Sequence, residues 1–193
     1  MSSHYFVKDG QEYSLLILGI PQNPYWEEYL GWQPNVYAVE KVLDHLSKEN
    51  IPIDFLFTEK DLENFEFEIL THCKRINGIV SDDSLEAMIQ EIKNDSILIL
   101  NDSESIIDLL DPKMWIEKDL EVICSEARFL RIKKDLKKFL PKGRVLEFNK
   151  EEIKFEGALE ETSKGQYKVL EEGVFEFFPK QASWLGIQLG SHR

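Results

Sequence analysis

Residues 13–57, "YSLLILGIPQNPYWEEYLGWQPNVYAVEKVLDHLSKENIPIDFLF", are the stretch on which the fold assignment turns. The opening run, Tyr13 to Gly19, is short, unbroken and rich in Leu and Ile, the pattern of a strand buried on both faces. Further along, Val36, Val39, Val42, Leu43 and Leu46 recur at helical spacing; Asn35 stands where a cap belongs, and "KEN" followed by Pro52 ends the pattern. "PIDFLF" then reads as a second strand, with Thr58, Asp61 and Leu62 forming a short turn or helix beyond it. A β-α-β unit is expected.

Outward from this unit the alternation continues. "FEFEILTHCKRINGIV" (65–80) starts like a strand and breaks at Asn77-Gly78, so it receives no assignment. Ser81 is placed to cap a helix carrying Leu85, Met88, Ile89 and Ile92 on one side, with Asp82 and Asp83 where the positive helix terminus favours carboxylates. "SILIL" (96–100) and "LEVIC" (120–124) read as core strands, separated by a short helix that stops at Asp111-Pro112. Residues 126–140 read as a helix ended by Pro141 and Gly143, and "RVLEF" as a further strand. These features predict an α/β fold over residues 1–150, a flavodoxin-like open, mostly parallel sheet with helices on both faces. From Ile153 the pattern changes to period two, with a turn at "TSKG" between "IKFEGALEE" and "QYKVL" and then "GVFEFF". Residues 151–193 are therefore expected to add a C-terminal antiparallel β element, a β-hairpin appendage.

Composition narrows the partners. With 193 residues, 42% apolar and 31% charged, the chain can bury a substantial core without disulfide or metal. A net charge of −13 leaves no basic face for a phosphate backbone, and "RIKKDLKK" reads as one exposed side of a helix, so no nucleic-acid partner is expected. Cys73 and Cys124 are far apart with no CxxC, and the first residues lack a signal-peptide pattern, which points to the cytoplasm. The apolar runs are far shorter than the about 20 residues that cross a bilayer, so no membrane role is expected.

Ligands of an open α/β sheet gather at the carboxyl ends of its strands, which directs attention to three loops. The first is "NPYWEEYLGWQPN" (23–35). Tyr25, Trp26 and Trp32 offer flat faces for a sugar ring or other planar group, and Glu27 and Glu28 can accept hydrogen bonds from hydroxyls, so these five are the candidate ligand-binding residues. The competing reading packs Trp26, Tyr29 and Trp32 over the sheet edge. Adjacent carboxylates in an extended stretch point apart and make a poor acid–base pair. In the second loop Ser103 and Ser105 lack the glycines of a nucleophile elbow, and Asn101, Asp102 and Ser103 suit capping. In the third, Cys124 reads as a buried structural thiol beside Ser125 and Glu126. No catalytic residue is assigned. Histidines 4, 45, 72 and 192 show no ligand spacing, so no metal is expected, and the ten scattered glycines form no phosphate cradle, so no cofactor is either.

One family resemblance rests on "VYAVEKVLDHLSKENIPIDFLFTEKDLENFEFE", with Ile51, Pro52 and Asp54 on the second strand, then Glu59, Asp61 and Leu62, and more loosely on "SDDSLEAMIQEIKNDSILIL". Over roughly residues 13–100 the chain resembles the glutamine-amidotransferase-like domain of glycoside hydrolases, the β-galactosidase trimerisation type. That resemblance implies a non-catalytic module serving oligomerisation or carbohydrate-linked recognition, with a homo-oligomer and a carbohydrate as partners. Two other readings stand beside it: a small hydrolase or transferase using carboxylates of the 23–35 loop, and an acidic protein-interaction or inhibitor domain.

Overall fold

The computed structural model describes residues 13–77, 85–111 and 117–189. Ser81, Asp82 and Asp83, together with Pro112, His4 and His192, lie outside the described residues. The apolar runs become β1 (Tyr13–Ile17), β2 (Asn35–Val39), β3 (Phe55–Phe57), β4 (Lys74–Ile76), β5 (Ser96–Leu100) and β6 (Asp119–Ile123). These six run parallel in the order β4-β3-β2-β1-β5-β6. The chain steps outward from β1 to β4, then returns to β5 on the other side of β1. That reversal opens a crevice between the carboxyl ends of β1 and β5.

The rest of the chain is β7 (Ala127–Ile132), β8 (Leu136–Leu140), β9 (Val145–Glu147), β10 (Ile153–Glu156), β11 (Leu159–Ser163), β12 (Gln166–Val169), β13 (Gly173–Pro179) and β14 (Ser183–Gln188). Here β7 turns back antiparallel on β6, and β14, β9, β12 and β11 continue that same sheet to its far edge, eleven strands in all. A second sheet, β10-β13-β8, lies against this extension. Between the two sheets Leu130, Leu146, Phe175, Phe177 and Leu185 are buried.

The four α-helices among the described residues are short: α1 (Glu27–Leu30), α2 (Leu43–Lys48), α3 (Leu85–Glu91) and α4 (Ile106–Leu109). One face of the parallel strands packs Leu16, Ile99 and Val122 with Leu85, Met88 and Ile89 of α3 and Ile106 of α4. The other packs Leu15, Ile17, Ala38 and Leu98 with Trp26 and with Leu43 and Leu46 of α2.

The structure corrects the expected fold class. The chain is not a flavodoxin-like open α/β sheet with an appended element; it is β-rich, with fourteen strands and helices of at most seven residues among the described residues. Two misread segments account for most of the difference. Residues 126–140 form no helix but strands β7 and β8. In β7 almost every position is buried on one face or the other, so the strand shows no period-two signal, and its charges are satisfied locally. Arg128 pairs with Glu121, and Arg131 Nη1 donates to the Lys118 carbonyl at 2.6 Å. "RIKKDLKK" is consequently the end of β7, a tight turn at 133–135 and the start of β8; Lys133 in the turn bridges Asp119 at 2.6 Å, and Lys137 on β8 bridges Glu176 at 2.7 Å.

The second misread segment is 35–46. Val36 and Val39 belong to β2, and helix α2 begins only at Leu43. Val36 and Ala38 face one core cluster and Tyr37 the other, so a doubly buried strand running into a helix mimics a single 3.6-residue period. The crossover between β1 and β2 is therefore the aromatic connector itself.

Candidate functional site

Three loops meet above the carboxyl ends of the parallel strands, and a small set of hydrogen bonds ties them together. Leu18 N–H and Gly19 N–H both donate to the Leu100 carbonyl, at 2.9 and 3.1 Å. Asn23 Nδ2 donates to the Cys124 and Ser125 carbonyls at 2.7 and 2.8 Å, and Ser125 Oγ donates to the Asp102 carbonyl at 3.0 Å. Gly19 is required by this closeness: a Cβ there would meet Asp102 N at 2.8 Å and Asn101 Oδ1 at 2.9 Å.

Beside these tied loops lies a cleft of about 400 Å³, lined by Leu18, Val39, Glu40, Lys41, Asn101, Asp102, Ser103, Ser105 and the apolar ends of α3 and α4. Glu40 follows β2 directly and is the best-anchored charge in it. Thr58 donates its hydroxyl to Glu40 Oε1, and Lys60 Nζ donates to Oε2 at 2.5 Å. Those two bonds, Lys60 first, hold the Glu40 carboxyl below the usual glutamate range. Glu40 is therefore an ionised acceptor at neutral pH. On the opposite wall Ser103 Oγ and Ser105 Oγ lie 2.9 Å apart, and Asn101 Nδ2 donates to the Ser103 carbonyl at 2.9 Å.

Cys124, fully buried, donates its thiol to the Ser103 carbonyl at 3.2 Å. Burial, then the nearby Glu104 and Asp102 carboxylates, push that thiol up to about 12. It stays protonated and is no nucleophile. Ser125 serves to tie the loops.

The five residues singled out in the connector are dispersed. Trp26 is 2% exposed in the core beneath the connector. Glu27 and Glu28 are exposed on the four-residue α1. The connector crosses one sheet face and delivers Trp32 to the amino-terminal rim, where it contacts the rings of Tyr13 and Tyr29 at 6.2 and 6.1 Å between centroids. Tyr25 lies in the short 3-10 turn that precedes α1.

Sequence reasoning missed Glu40, Lys41 and Lys60. The signal was present: Glu40 directly follows the buried "VYAV" and Thr58 directly follows the buried "FLF", so adjacent parallel strands bring them to one rim. Reading 36–46 as one helix concealed it.

Among the described residues no three His, Cys, Asp or Glu side chains converge to hold a metal ion. Glycine-rich anion cradles are equally lacking in the described loops after β1 and β5, the first of which carries Pro21 and Pro24.

A six-stranded parallel sheet with a switch point, continued by antiparallel strands into a two-sheet sandwich, defines the architectural class. No protein-family model matches the chain, and no curated protein matches it in sequence. Solved structures resemble it in fold. Thiamine pyrophosphokinase from Bacillus subtilis is 14% identical with a TM-score of 0.62, covering 94% of this chain and 100% of that one. Thiamin pyrophosphokinase from Candida albicans is 12% identical with a TM-score of 0.62, over 93% and 90% of the two chains. The yeast thiamin pyrophosphokinase is 12% identical with a TM-score of 0.54, over 95% and 88%.

These likenesses overturn the resemblance to the amidotransferase-like domain of glycoside hydrolases, and with it the expected non-catalytic role in oligomerisation or carbohydrate recognition. The residues that carried the resemblance are generic to a parallel crossover. Asp54, for example, accepts the Val36 N–H at 2.8 Å and so fixes the start of β2, while Asp61 pairs with Arg75. Glu27 and Glu28, the carboxylates on which the hydrolase or transferase alternative drew, are exposed on α1. No helix of the described residues is long and apolar enough to cross a membrane.

Proposed function

We propose that the chain transfers a phosphoryl or pyrophosphoryl group to the hydroxyl of a small acceptor, at the cleft above β1, β2 and β5. The observation that carries this reading is the composition of that cleft: an anchored carboxylate, Glu40, faces hydroxyl and amide groups on Asn101, Ser103 and Ser105, with the exposed Lys41 at its edge. Pyrophosphokinase is also what the full-length fold neighbours are named for.

In this scheme Glu40 accepts a hydrogen bond from the acceptor hydroxyl and orients it. A loose transition state for phosphoryl transfer asks for positioning more than for a strong base, which suits a carboxyl held below its ordinary range. Lys41 and the Ser103 and Ser105 hydroxyls donate to phosphate oxygens. The two free cysteines support a reducing compartment, the cytoplasm.

Phosphorus NMR of the full chain with ATP, magnesium and a panel of acceptors, thiamin first, tests the reading. Release of AMP or ADP coupled to a new phosphate ester is expected, reduced at least about tenfold in Lys41→Ala and Glu40→Gln. Absence of transfer to every acceptor, with no chemical-shift change on adding the nucleotide, would overturn it.

A further inference from the structure

Trp32 of the aromatic connector has no part in the cleft. At the amino-terminal rim of the parallel strands, opposite the cleft, it remains 42% exposed beside Tyr13 on β1 and Tyr29 on α1. The centroids of the three rings form a nearly equilateral triangle, with Tyr13 6.4 Å from Tyr29 and 6.2 Å from Trp32, and Tyr29 6.1 Å from Trp32. Their planes meet at 80°, 81° and 55°, so the rings stand as three walls of a corner rather than as a stack. One acceptor fixes all three: the Tyr29 carbonyl takes the Tyr13 hydroxyl and also the Trp32 N–H at 3.3 Å. Directly after Trp32 the backbone turns through the left-handed region at Gln33, φ +52°.

A pocket of about 30 Å³ opens on this corner, room for one small head group, and Leu98, Asp119 and Glu121 also line it. Both carboxylates already hold cations, Asp119 with Lys133 at 2.6 Å and Glu121 with Arg128. Each pair is formally neutral and leaves the rings to decide what binds. Burial pushes the Tyr13 phenol up to about 12 and raises that of Tyr29 as well, so both rings stay uncharged at neutral pH. The faces of such rings are negative at their centres.

A bare ammonium brings three N–H donors, and the carboxylates that could take them are engaged with Lys133 and Arg128. A methylated ammonium asks for no acceptor and lays its charged methyl groups against ring faces. Seated a few ångströms off the plane of the centroids, it stays within the roughly 6 Å of all three rings that cation–π attraction requires. We propose that Tyr13, Tyr29 and Trp32 form an aromatic cage for a methylated ammonium group, carried by a small solute or by a methylated lysine. The cage and the cleft occupy opposite rims, so the cage stands or falls independently of the group-transfer reading.

Three ligands titrated into the full chain at about 150 mM salt, where surface charge effects are screened, test the assignment: choline, a peptide carrying trimethyllysine, and neohexyl alcohol, the uncharged carbon isostere of choline. Calorimetry and tryptophan fluorescence supply the readouts. Saturable binding of at least one cation is expected, about tenfold tighter than that of neohexyl alcohol. Trp32→Ala is expected to weaken it about tenfold, and Trp32→Phe, which keeps a ring face, by less. Trp32 is an exposed loop residue, so circular dichroism of both variants is expected to match the parent. Choline binding alone assigns a free solute, and tighter binding of the peptide assigns a modified protein segment; both support the cage. Three outcomes would each overturn it: no saturable signal from either cation, neohexyl alcohol binding as tightly as the cations, or parent-level affinity in Trp32→Ala.

Discussion

The parallel and antiparallel stretches of the long sheet solve the same problem, burial on both faces, in different ways. Strands β1, β2, β3 and β5, covered by helices, carry no charged residue, and their buried polar exception is Ser14. At the seam of the two stretches β6 and β7 bury Glu121 and Arg131, and half-bury Arg128. Arg128 lies between the connector side, where Tyr29 approaches it, and the second sheet, from which Lys138 approaches. Where one kind of layer covers a strand, apolar side chains suffice; where two unlike layers abut, a paired charge fills the junction.

That comparison can be broken most directly by truncating one large core ring on each side. Phe57→Ala in β3 and Phe177→Ala in β13, both fully buried, are each expected to cost about 3–5 kcal/mol in urea unfolding. A single shared transition is the expected form for both; two separated transitions would show that the regions fold apart. At the seam, Glu121→Leu strands the Arg128 guanidinium that donates to it at 2.9 Å and is expected to cost about 3–5 kcal/mol. The double variant E121L/R128M is expected to recover most of that loss, as a charge that fills a junction rather than performs chemistry would.

A smaller effect is expected at Gly157, whose φ of +139° admits no side chain comfortably and whose added Cβ would meet Phe175 Cδ1 at 2.2 Å. Gly157→Ala is expected to cost about 1–3 kcal/mol and to loosen the second sheet while leaving the parallel strands intact, as amide exchange would report. Glu40→Gln sharpens the contrast at the opposite end of the scale, with about 0.5–1.5 kcal/mol lost at neutral pH. Because the folded carboxyl titrates below its unfolded value, its stabilisation is present above the ordinary glutamate range and is lost as pH falls through the lower, folded value. Stability curves of parent and variant are therefore expected to converge in acid. Glu27→Gln and Glu28→Gln, on the exposed α1, are expected within about 0.5 kcal/mol of the parent.

Legibility in the sequence follows the same division. "SLLI", "FLF" and "SILIL" announce strands because helices on both faces leave them almost wholly apolar, and "LEVI" does so with one buried charge, Glu121. "ARFLRI" is equally buried, yet two arginines and an apolar spacing compatible with either period disguise it, and only the partner Glu121, seven residues earlier, explains how Arg128 is tolerated. The 35–48 stretch fails for another reason, since strand and helix follow each other with a single 3-10 turn between them and no breaker residue. Losing that strand end meant losing Glu40 and its contact with Thr58, which no local pattern reveals. The aromatic connector drew attention by composition, but Trp26 is core and Trp32 sits at the amino-terminal rim.

The ladder joining Glu121, Val122 and Ile123 to Leu130, Phe129 and Arg128 makes one continuous sheet from Lys74 to Leu159. Such a sheet couples the two stretches edge to edge, so the amides of β6 and β7 are expected to be among the last to exchange with solvent.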